Sequence, residues 1–260
     1  MNQDNPTDGE LLATLADQFE QGELYTPPST RIGRFDLQRA YELQRAYVKN
    51  WQTRDTIAGF KAAVTAQPMQ EAFGLPGPVT SVLFARGGRR DKERFPSSDY
   101  RTLLVETELS FRLRDAVRAP VSTIAEVRAL VAHCAPAFEL ADPGFGAATF
   151  TGEDLVATNI ACNGWIIGDE FSWQEMDLDA VQVELQHDGE TLHNAAAGSV
   201  MEGQWQALHW LINQTVAQGY TITPANILLT GAIGSAHPGR PGHYEANYGS
   251  AGCISFTLTP

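Results

Sequence analysis

A strand-like run that contains two acids constrains this chain more than any other stretch. Residues 103–113, LLVETELSFRL, are mostly apolar, which predicts a buried strand, yet Glu106 and Glu108 lie in its middle. Side chains two apart on a strand point to the same face, with Cα atoms roughly 6–7 Å apart. Two carboxylates at that spacing repel each other by about 2–3 kcal/mol at an effective dielectric near 20. A buried strand therefore needs a partner for them, and a divalent cation such as Mg²⁺, which takes oxygen ligands, is the simplest one.

A third isolated acid, Glu139, lies in another apolar, strand-like run, Cys134–Ala141. A helix-like stretch over residues 123–133 separates the two runs, as a crossover between neighbouring strands would require. Three inward-facing acids on adjacent strands favour a metal site made only of oxygen ligands. The alternative for Glu106 and Glu108 is an edge strand with a solvated polar face, because Glu-x-Glu is a common pair.

Composition narrows the class of partner. The chain has 260 residues, which suits one large domain, or one core with a small appended subdomain, that needs no disulfides. Its formal net charge is −13, and this argues against nucleic-acid and membrane partners, which would require clustered Lys and Arg. The first residues do not resemble a signal peptide, no apolar run is long enough for a bilayer, and the three cysteines form no Cys-x-x-Cys pair. We therefore expect a cytoplasmic protein with reduced thiols.

Apolar periodicity predicts a helical N-terminal segment over residues 1–55 and a β-rich core over residues 56–260. Helices are expected over residues 7–21 and from Asp36 onward. The later expectations are, in order, strands at 56–64 and 79–85, the acid-bearing strands, a strand at 161–168, a hairpin turning at His187–Glu190, a helix over 205–219, a strand at 227–231, a Gly- and Pro-rich loop at 234–242 and a strand at 252–258. Helices and strands do not alternate strictly, which favours an α+β fold over a doubly wound sheet.

Short motifs follow one another along nearly the whole chain, from about residue 10 to residue 258. They are Gly59-Phe60-Lys61, Glu106-Thr107-Glu108, Ala137-Phe138-Glu139-Leu140-Ala141-Asp142, Asn159-Ile160-Ala161-Cys162, Leu229-Thr230-Gly231 and Gly252-Cys253-Ile254-Ser255-Phe256. In this order they resemble the branch of the fumarylacetoacetate hydrolase superfamily that contains 2-keto-4-pentenoate hydratase and 4-oxalocrotonate decarboxylase. The resemblance implies a mixed β-roll or β-sandwich core, like the C-terminal domain of fumarylacetoacetate hydrolase, behind the helical N-terminal segment.

The resemblance also implies a metal site and a catalytic lysine. Mg²⁺ or Mn²⁺ would be held by Glu106, Glu108 and Glu139, with a 2-oxo acid chelating the metal and an enolate stabilised as it develops. Lys61 matches the lysine that such hydratases use for acid–base work, and a nearby cation would lower its pKa toward neutrality. The alternative for Lys61 is a packed stem whose head reaches solvent.

The implied substrate is a small 2-oxo or 2-hydroxydienoic acid such as 2-hydroxypenta-2,4-dienoate, and the implied enzyme is a divalent-metal lyase. Thr230 and Gly231 match the strand end that holds the substrate's carboxylate, and Asn159 is expected in the same substrate site. Many relatives assemble into oligomers, so we expect a homo-oligomer.

One departure from the family pattern leaves the reaction open. Hydratases usually carry an Asp within a Pro-Asp-(aromatic)-Gly stretch, whereas this chain has Pro78-Val79-Thr80-Ser81. Thr80 or Ser81 could orient a water, but neither is a base at neutral pH. Hydration and decarboxylation are both compatible with the remaining residues. The alternatives are a C–C hydrolase of acylpyruvate-type substrates, although no histidine precedes Arg101, and a non-catalytic 2-oxo-acid-binding or accessory subunit.

Overall fold

The computed structural model describes residues 6–159 and 162–260. Its α-helices are α1 (Asp8–Glu20), α2 (Pro28–Ile32), α3 (Leu37–Trp51), α4 (Gln67–Phe73), α5 (Ile124–Leu130), α6 (Gly152–Ala157) and α7 (Gln204–Ala217). Its strands are β1 (Ile57–Ala63), β2 (Val79–Phe84), β3 (Gly88–Arg89), β4 (Arg94–Pro96), β5 (Leu104–Leu113), β6 (Val131–Ala141), β7 (Cys162–Ile167), β8 (Gln182–His187), β9 (Glu190–Ala196), β10 (Ile227–Leu229), β11 (Ile233–Pro238), β12 (Gly242–Asn247) and β13 (Cys253–Thr259). Ile160 and Ala161, part of one family-like motif, lie outside the described residues.

The helical N-terminal segment forms where its polar caps predict. Thr7 and Glu10 make a reciprocal capping box at the start of α1, and the Asp36 side chain accepts the N–H of Arg39 at the start of α3. The structure adds one element, because α2 begins at Pro28, between the two helices that the sequence predicts. Proline suits the first turn of a helix, since its φ is fixed and its missing N–H would be unpaired there.

The larger sheet is mixed and curled. Its strand order is β2-β1-β10-β5-β6-β7-β3, and β11 pairs with residues 104–107 of β5, beyond the short β10. The β1–β10 and β3–β7 pairs are parallel and the others are antiparallel. Although β2 and β7 lie near opposite ends of this order, the Trp165 indole on β7 donates to the Phe84 carbonyl on β2 at 3.2 Å. The sheet therefore rolls round on itself and encloses one face.

A second, five-stranded sheet packs against the outside of this roll. Its order is β4-β13-β12-β8-β9, and the β8–β9 hairpin turns through Asp188 and Gly189, both with positive φ, as its Asp-Gly sequence predicts. Phe138 on β6 meets Phe256 on β13 edge to face, with ring centroids 5.0 Å apart, and Phe256 stacks on Tyr244. The predicted α+β class, with a mixed β-roll and sandwich core behind a helical N-terminal segment, is confirmed.

Two expectations about the strands are wrong. Strands β5 and β6 are antiparallel neighbours, so α5 does not serve as a crossover between parallel strands. Residues 234–242, expected to be a loop, belong largely to β11 and to the start of β12. In the part of the chain that the structure describes, no helix combines the length and the apolar character needed to cross a membrane. The division between residues 55 and 56 stays a prediction.

Candidate metal centre

The antiparallel register of β5 and β6 brings the three acids together. Glu106 lies directly opposite Glu139, and Glu108 is two residues along the same face of β5. One carboxylate oxygen from each of the three lies within 4.8 Å of the others. Glu108 and Glu139 are buried, and Glu106 is partly exposed. All three side chains lie on the enclosed face of the curled sheet. The alternative for Glu106 and Glu108, an edge strand with a solvated polar face, is therefore excluded.

This crowding is visible in the protonation of the acids. Burial, and then the neighbouring charge of Glu139, raises the pKa of Glu106 to about 7. The same two causes, followed by the charge of Glu106, raise the pKa of Glu108 well above its ordinary value. Two ionised carboxylates at such a distance repel by about 3 kcal/mol at an effective dielectric near 20. The cluster is therefore costly without a positive charge in contact with it.

Lys61 supplies one such charge. Strand β1 places Lys61 opposite Leu229 of β10, and β10 in turn places Leu229 opposite Ser110 of β5, so all three side chains share the enclosed face. Lys61 is 2% exposed and its Nζ makes an ion pair with Glu139 Oε1. The alternative of a lysine head in solvent is therefore excluded. A buried ammonium beside three carboxylates can both neutralise charge and transfer a proton.

The two carboxylate oxygens of Glu108 differ in their hydrogen bonding. The Gly231 N–H donates to Glu108 Oε2 at 2.7 Å, whereas Glu108 Oε1 is buried with no hydrogen-bond partner. Gly231 has φ +113°, and a Cβ there would lie 2.5 Å from the Thr65 side chain, so only glycine brings this amide to the acid. A buried carboxylate oxygen without a donor is rare in proteins and is the group that a cation would coordinate. The residues present therefore fit a hard divalent ion.

Strand β2 carries the residues that depart from the family pattern. Ser81 lies opposite Lys61 in the β1–β2 register, and Val79 shares its face two residues earlier. The Ser81 hydroxyl is buried without a hydrogen-bond partner. Thr80 points the other way, toward α3, where its N–H donates to the Tyr41 hydroxyl and its carbonyl accepts from the Gln44 amide. Of the two hydroxyl residues expected near substrate, the structure brings Ser81 to the lysine and Thr80 to the helix.

Thr230 and Asn159 are committed to other partners. The Thr230 hydroxyl is fully buried and donates to Gln204 Oε1 at 2.7 Å. The Asn159 side chain accepts the N–H of Val82 at 2.9 Å and donates to its carbonyl at 2.8 Å, so it clamps the main chain of β2. The contacts thus join Lys61 and Gly231 directly to the acids, whereas Asn159 acts on the strand that carries Ser81.

Three residues support the site through contacts that the sequence does not reveal. Gln204 holds Thr230, and the Tyr248 hydroxyl lies 3.0 Å from the Glu108 carbonyl and 2.8 Å from the Ala137 carbonyl, which ties β5 to β6. Asp142 accepts the main-chain N–H groups of Arg101 and Thr102 at 2.9 and 2.7 Å, which fixes the approach to β5. These contacts span 26 to 140 residues along the chain, so pattern and propensity could not reveal them.

Known proteins with similar sequences include several hydratases and a decarboxylase. The chain is 24% identical over 262 residues to the 2-keto-4-pentenoate hydratase of Burkholderia vietnamiensis (strain G4 / LMG 22486), with all of both chains covered. No protein-family model matches the sequence.

Solved structures share the fold. The 4-oxalocrotonate decarboxylase of Pseudomonas putida G7, complexed with magnesium and adipate, superposes with a TM-score of 0.89 at 22% identity, over 97% of this chain and 98% of that one. A protein of Yersinia pestis CO92 described as belonging to the fumarylacetoacetate hydrolase family gives a TM-score of 0.55 at 13% identity, over 80% of this chain and 97% of that one. The chain is thus similar in sequence to 2-keto-4-pentenoate hydratases and to a 4-oxalocrotonate decarboxylase, and it shares its fold with the 4-oxalocrotonate decarboxylase of Pseudomonas putida G7.

Proposed function

We propose that this protein is a divalent-metal-dependent lyase, a hydratase or a decarboxylase, that acts on 2-hydroxydienoic or 2-oxo acids such as 2-hydroxypenta-2,4-dienoate. The observation that carries the proposal is the buried cluster of Glu106, Glu108 and Glu139 in ion-pair contact with Lys61. Relatives with the same fold support it, because they are hydratases of 2-keto-4-pentenoate or decarboxylases of 4-oxalocrotonate.

The three glutamates would hold Mg²⁺ or Mn²⁺. Both ions prefer oxygen ligands, and a few carboxylates leave coordination positions open for a substrate. When bound, the cation supplies the positive charge that a 2-oxo acid's carboxylate and keto oxygens need as negative charge develops on them. The Gly231 amide, fixed at 2.7 Å from Glu108 Oε2, keeps that carboxylate oriented.

Lys61 is the proton carrier in this proposal. Its ammonium lies within the enclosed face beside the acids, where it can deliver a proton to C5 of a 2-hydroxypenta-2,4-dienoate as the 2-hydroxyl loses its own. That transfer gives the 2-oxo-3-enoate, whose C4 accepts water in a hydration. In a decarboxylation, the bond to the distal carboxylate breaks and carbon dioxide leaves. The same lysine then protonates the carbon of the dienolate that carried this carboxylate.

The residue at position 79 favours decarboxylation over hydration. Val79 is fully buried on the face that carries Lys61 and Ser81, so no carboxylate stands there to activate water. Loss of carbon dioxide needs no activated water. If hydration does occur, Ser81, whose hydroxyl has no hydrogen-bond partner, is the group in place to orient the water. The same missing acid supports the second candidate, a 2-oxo-acid-binding or accessory subunit without turnover.

The test is turnover with Mg²⁺ or Mn²⁺ of 2-hydroxypenta-2,4-dienoate and of 4-oxalocrotonate, followed by the ultraviolet absorbance of the dienol and by product chromatography. Glu106→Gln should abolish both divalent-ion binding and turnover, because one of three anionic ligands becomes neutral. Glu175→Gln, at an exposed acid, is the matched control and should change neither. Lys61→Met should lower kcat by at least about a hundredfold while changing metal affinity less than tenfold.

Each alternative gives a different result. Tight oxalate binding without turnover of either acid would identify a binding or accessory subunit. Cleavage of an acylpyruvate would identify a C–C hydrolase. Full turnover by Glu106→Gln in the presence of a chelator contradicts the metal proposal outright.

A further inference from the structure

A second cavity lies outside the roll, between the helical N-terminal segment and the outer face of β2. Its volume is about 340 Å³. Three arginines, Arg86, Arg89 and Arg101, and two acids, Glu20 and Asp99, line it. The aromatic residues of its wall are Phe19, Tyr25, Tyr47, Trp51, Phe84 and Tyr100. Side chains alternate along β2, so Phe84 lines this cavity while Ser81 and Leu83 face the enclosed side with Lys61. The strand itself therefore separates the second cavity from the candidate metal centre.

Arg86 gives this cavity a positive charge. Arg86 is exposed at the mouth of the cavity, and its guanidinium carbon lies 4.8 Å from the centroid of the Phe19 ring and 5.0 Å from that of Trp51, so it packs against two aromatic rings. Asp55 accepts the main-chain N–H of Arg86, but no carboxylate among residues 6–159 and 162–260 lies within ion-pair distance of its guanidinium.

The other arginines at this cavity are already paired. Arg89 makes an ion pair with Asp99 at 2.6 Å. Arg101 makes one with Asp142 and also donates to the last carbonyls of α1. Arg86 therefore supplies one unmatched charge, in a protein whose net charge is −13.

Polar N–H and O–H groups lie in the cavity wall together with the Arg86 guanidinium. Trp51, which forms part of the cavity wall, is 4% exposed, and its indole N–H is buried without an acceptor. Burial raises the pKa of the Tyr25 and Tyr47 hydroxyls, so both remain protonated, and the two hydroxyls also interact with each other. A buried N–H without a partner is uncommon in a folded protein. The cavity thus offers a cation and a buried indole N–H, set among aromatic rings.

We propose that this cavity binds a small aromatic monocarboxylate, with its carboxylate on the Arg86 guanidinium and its ring among the aromatic walls. A planar guanidinium forms paired hydrogen bonds with a carboxylate, and its contacts with the rings of Phe19 and Trp51 limit the rotamers it loses on binding. One unmatched arginine suits one negative charge. A volume of about 340 Å³ lies within the range of small-molecule sites and accommodates a single ring with a short substituent.

The experiment titrates benzoate into the full-length protein with Mg²⁺ and saturating oxalate present, so that the candidate metal centre is occupied. Binding is followed by calorimetry and by the fluorescence of Trp51. We expect saturable binding at one site per chain and an affinity at least tenfold lower in Arg86→Gln. Arg90→Gln makes the same change of charge at an exposed neighbour outside the cavity wall, so it should bind benzoate normally. Arg86→Lys, which keeps the charge but loses the planar fork, should be intermediate.

Neutral and small probes separate the two parts of the proposal. Benzamide should bind at least tenfold more weakly than benzoate because it lacks the charge, and acetate should do so because it lacks the ring. The proposal is overturned if wild-type protein shows no saturable binding, if Arg86→Gln and Arg90→Gln bind equally, or if oxalate displaces benzoate. Inorganic phosphate binding as tightly as benzoate would also overturn it, since the rings would then contribute nothing. Near-ultraviolet circular dichroism establishes that the variants are folded.

Discussion

At the scale of single residues, the candidate metal centre stores electrostatic strain that its own lysine only partly relieves. Three carboxylates approach within 4.8 Å, and Lys61 forms an ion pair with one of them, Glu139. The protein responds by holding protons on Glu106 and Glu108 at pH values where free glutamates are ionised. Protonation and cation binding are thus alternative ways of neutralising the same oxygens, and they compete.

This competition predicts that the metal-free protein loses stability as the pH rises. Between the ordinary pKa of 4.5 and the raised value of about 7, folded Glu106 keeps a proton that the unfolded chain releases. The stability that this bound proton contributes is therefore fully present below the unfolded-state pKa of Glu106 and is lost as the pH rises through its folded-state pKa. We expect the free energy of unfolding to fall by about 1–3 kcal/mol from pH 5 to pH 8, as measured by urea denaturation in chelator.

Two comparisons isolate the cause of that loss. Glu106→Gln should flatten the pH profile, and Glu175→Gln should leave it unchanged. Added Mg²⁺ should stabilise the wild-type protein more at pH 8 than at pH 5, because the ion binds the deprotonated form. A wild-type profile as flat as that of Glu106→Gln would remove the acids as its source.

The three acids could be predicted from sequence, but which residues of β2 face them could not. Glu106, Glu108 and Glu139 stand out because charged residues interrupt apolar runs. Thr80 and Ser81 look equivalent in sequence, and only the pairing of Ser81 with Lys61 decides which of them faces the site. A prediction of that kind requires the register of two strands, which sequence periodicity does not supply.

At the scale of elements, the closeness of β1 and β10 determines where Lys61 lies. Gly59 pairs with Ile227, and a Cβ on Gly59 would come within 2.0 Å of the Ile227 carbonyl oxygen. No rotamer change relieves a clash with main chain, so the two strands would have to separate. Lys61, two residues further along β1, would move with them.

We therefore expect Gly59→Ala to lower the free energy of unfolding by more than about 2 kcal/mol and to weaken divalent-ion binding. Gly77→Ala is the matched control, since a Cβ at Gly77 meets nothing within 4 Å. Thermal unfolding and metal titration of both variants provide the measurement. Equal stabilities would mean that β1 tolerates the methyl group, contrary to this account.

The elements that sequence patterns missed are those fixed by distant partners. Strand β11 is largely exposed and rich in small residues, so it has no apolar alternation, and it forms by pairing Ile233 with Thr107, over 126 positions away. Helices α1 and α3 were predictable because their caps and apolar faces are local. Local signals thus sufficed for the helices and the main strands, and failed where pairing alone defines the element.

At the scale of the whole molecule, the helical N-terminal segment is part of the core. Tyr47 and Trp51 of α3 are buried, and the Gln44 amide donates to the carbonyls of Thr80 and Val156 at 2.9 and 3.1 Å. These contacts reach β2, the strand that carries Ser81. Removing α3 would expose apolar surface and leave two buried carbonyls without donors.

We accordingly expect residues 56–260 expressed alone to lack cooperative unfolding, although they contain every acid of the candidate metal centre. A chain beginning at Thr7 retains the α1 capping box and is the control, with near wild-type stability. Near-ultraviolet circular dichroism and urea denaturation compare the two. A shorter chain that unfolds cooperatively and binds Mg²⁺ normally would show that residues 1–55 form a separable unit.

Strand β10 has a consequence for how the protein is made. It lies between β1 and β5, so the strand that carries Lys61 and the strand that carries Glu106 are not neighbours until residues 227–229 join them. During synthesis, a chain on the ribosome can pair β5 with β6 early, since their contacts are close in sequence, and must then wait for β10. On this order of pairing, we expect the three acids to meet before Lys61 can reach them, because the lysine's strand joins the sheet only through residues 227–229.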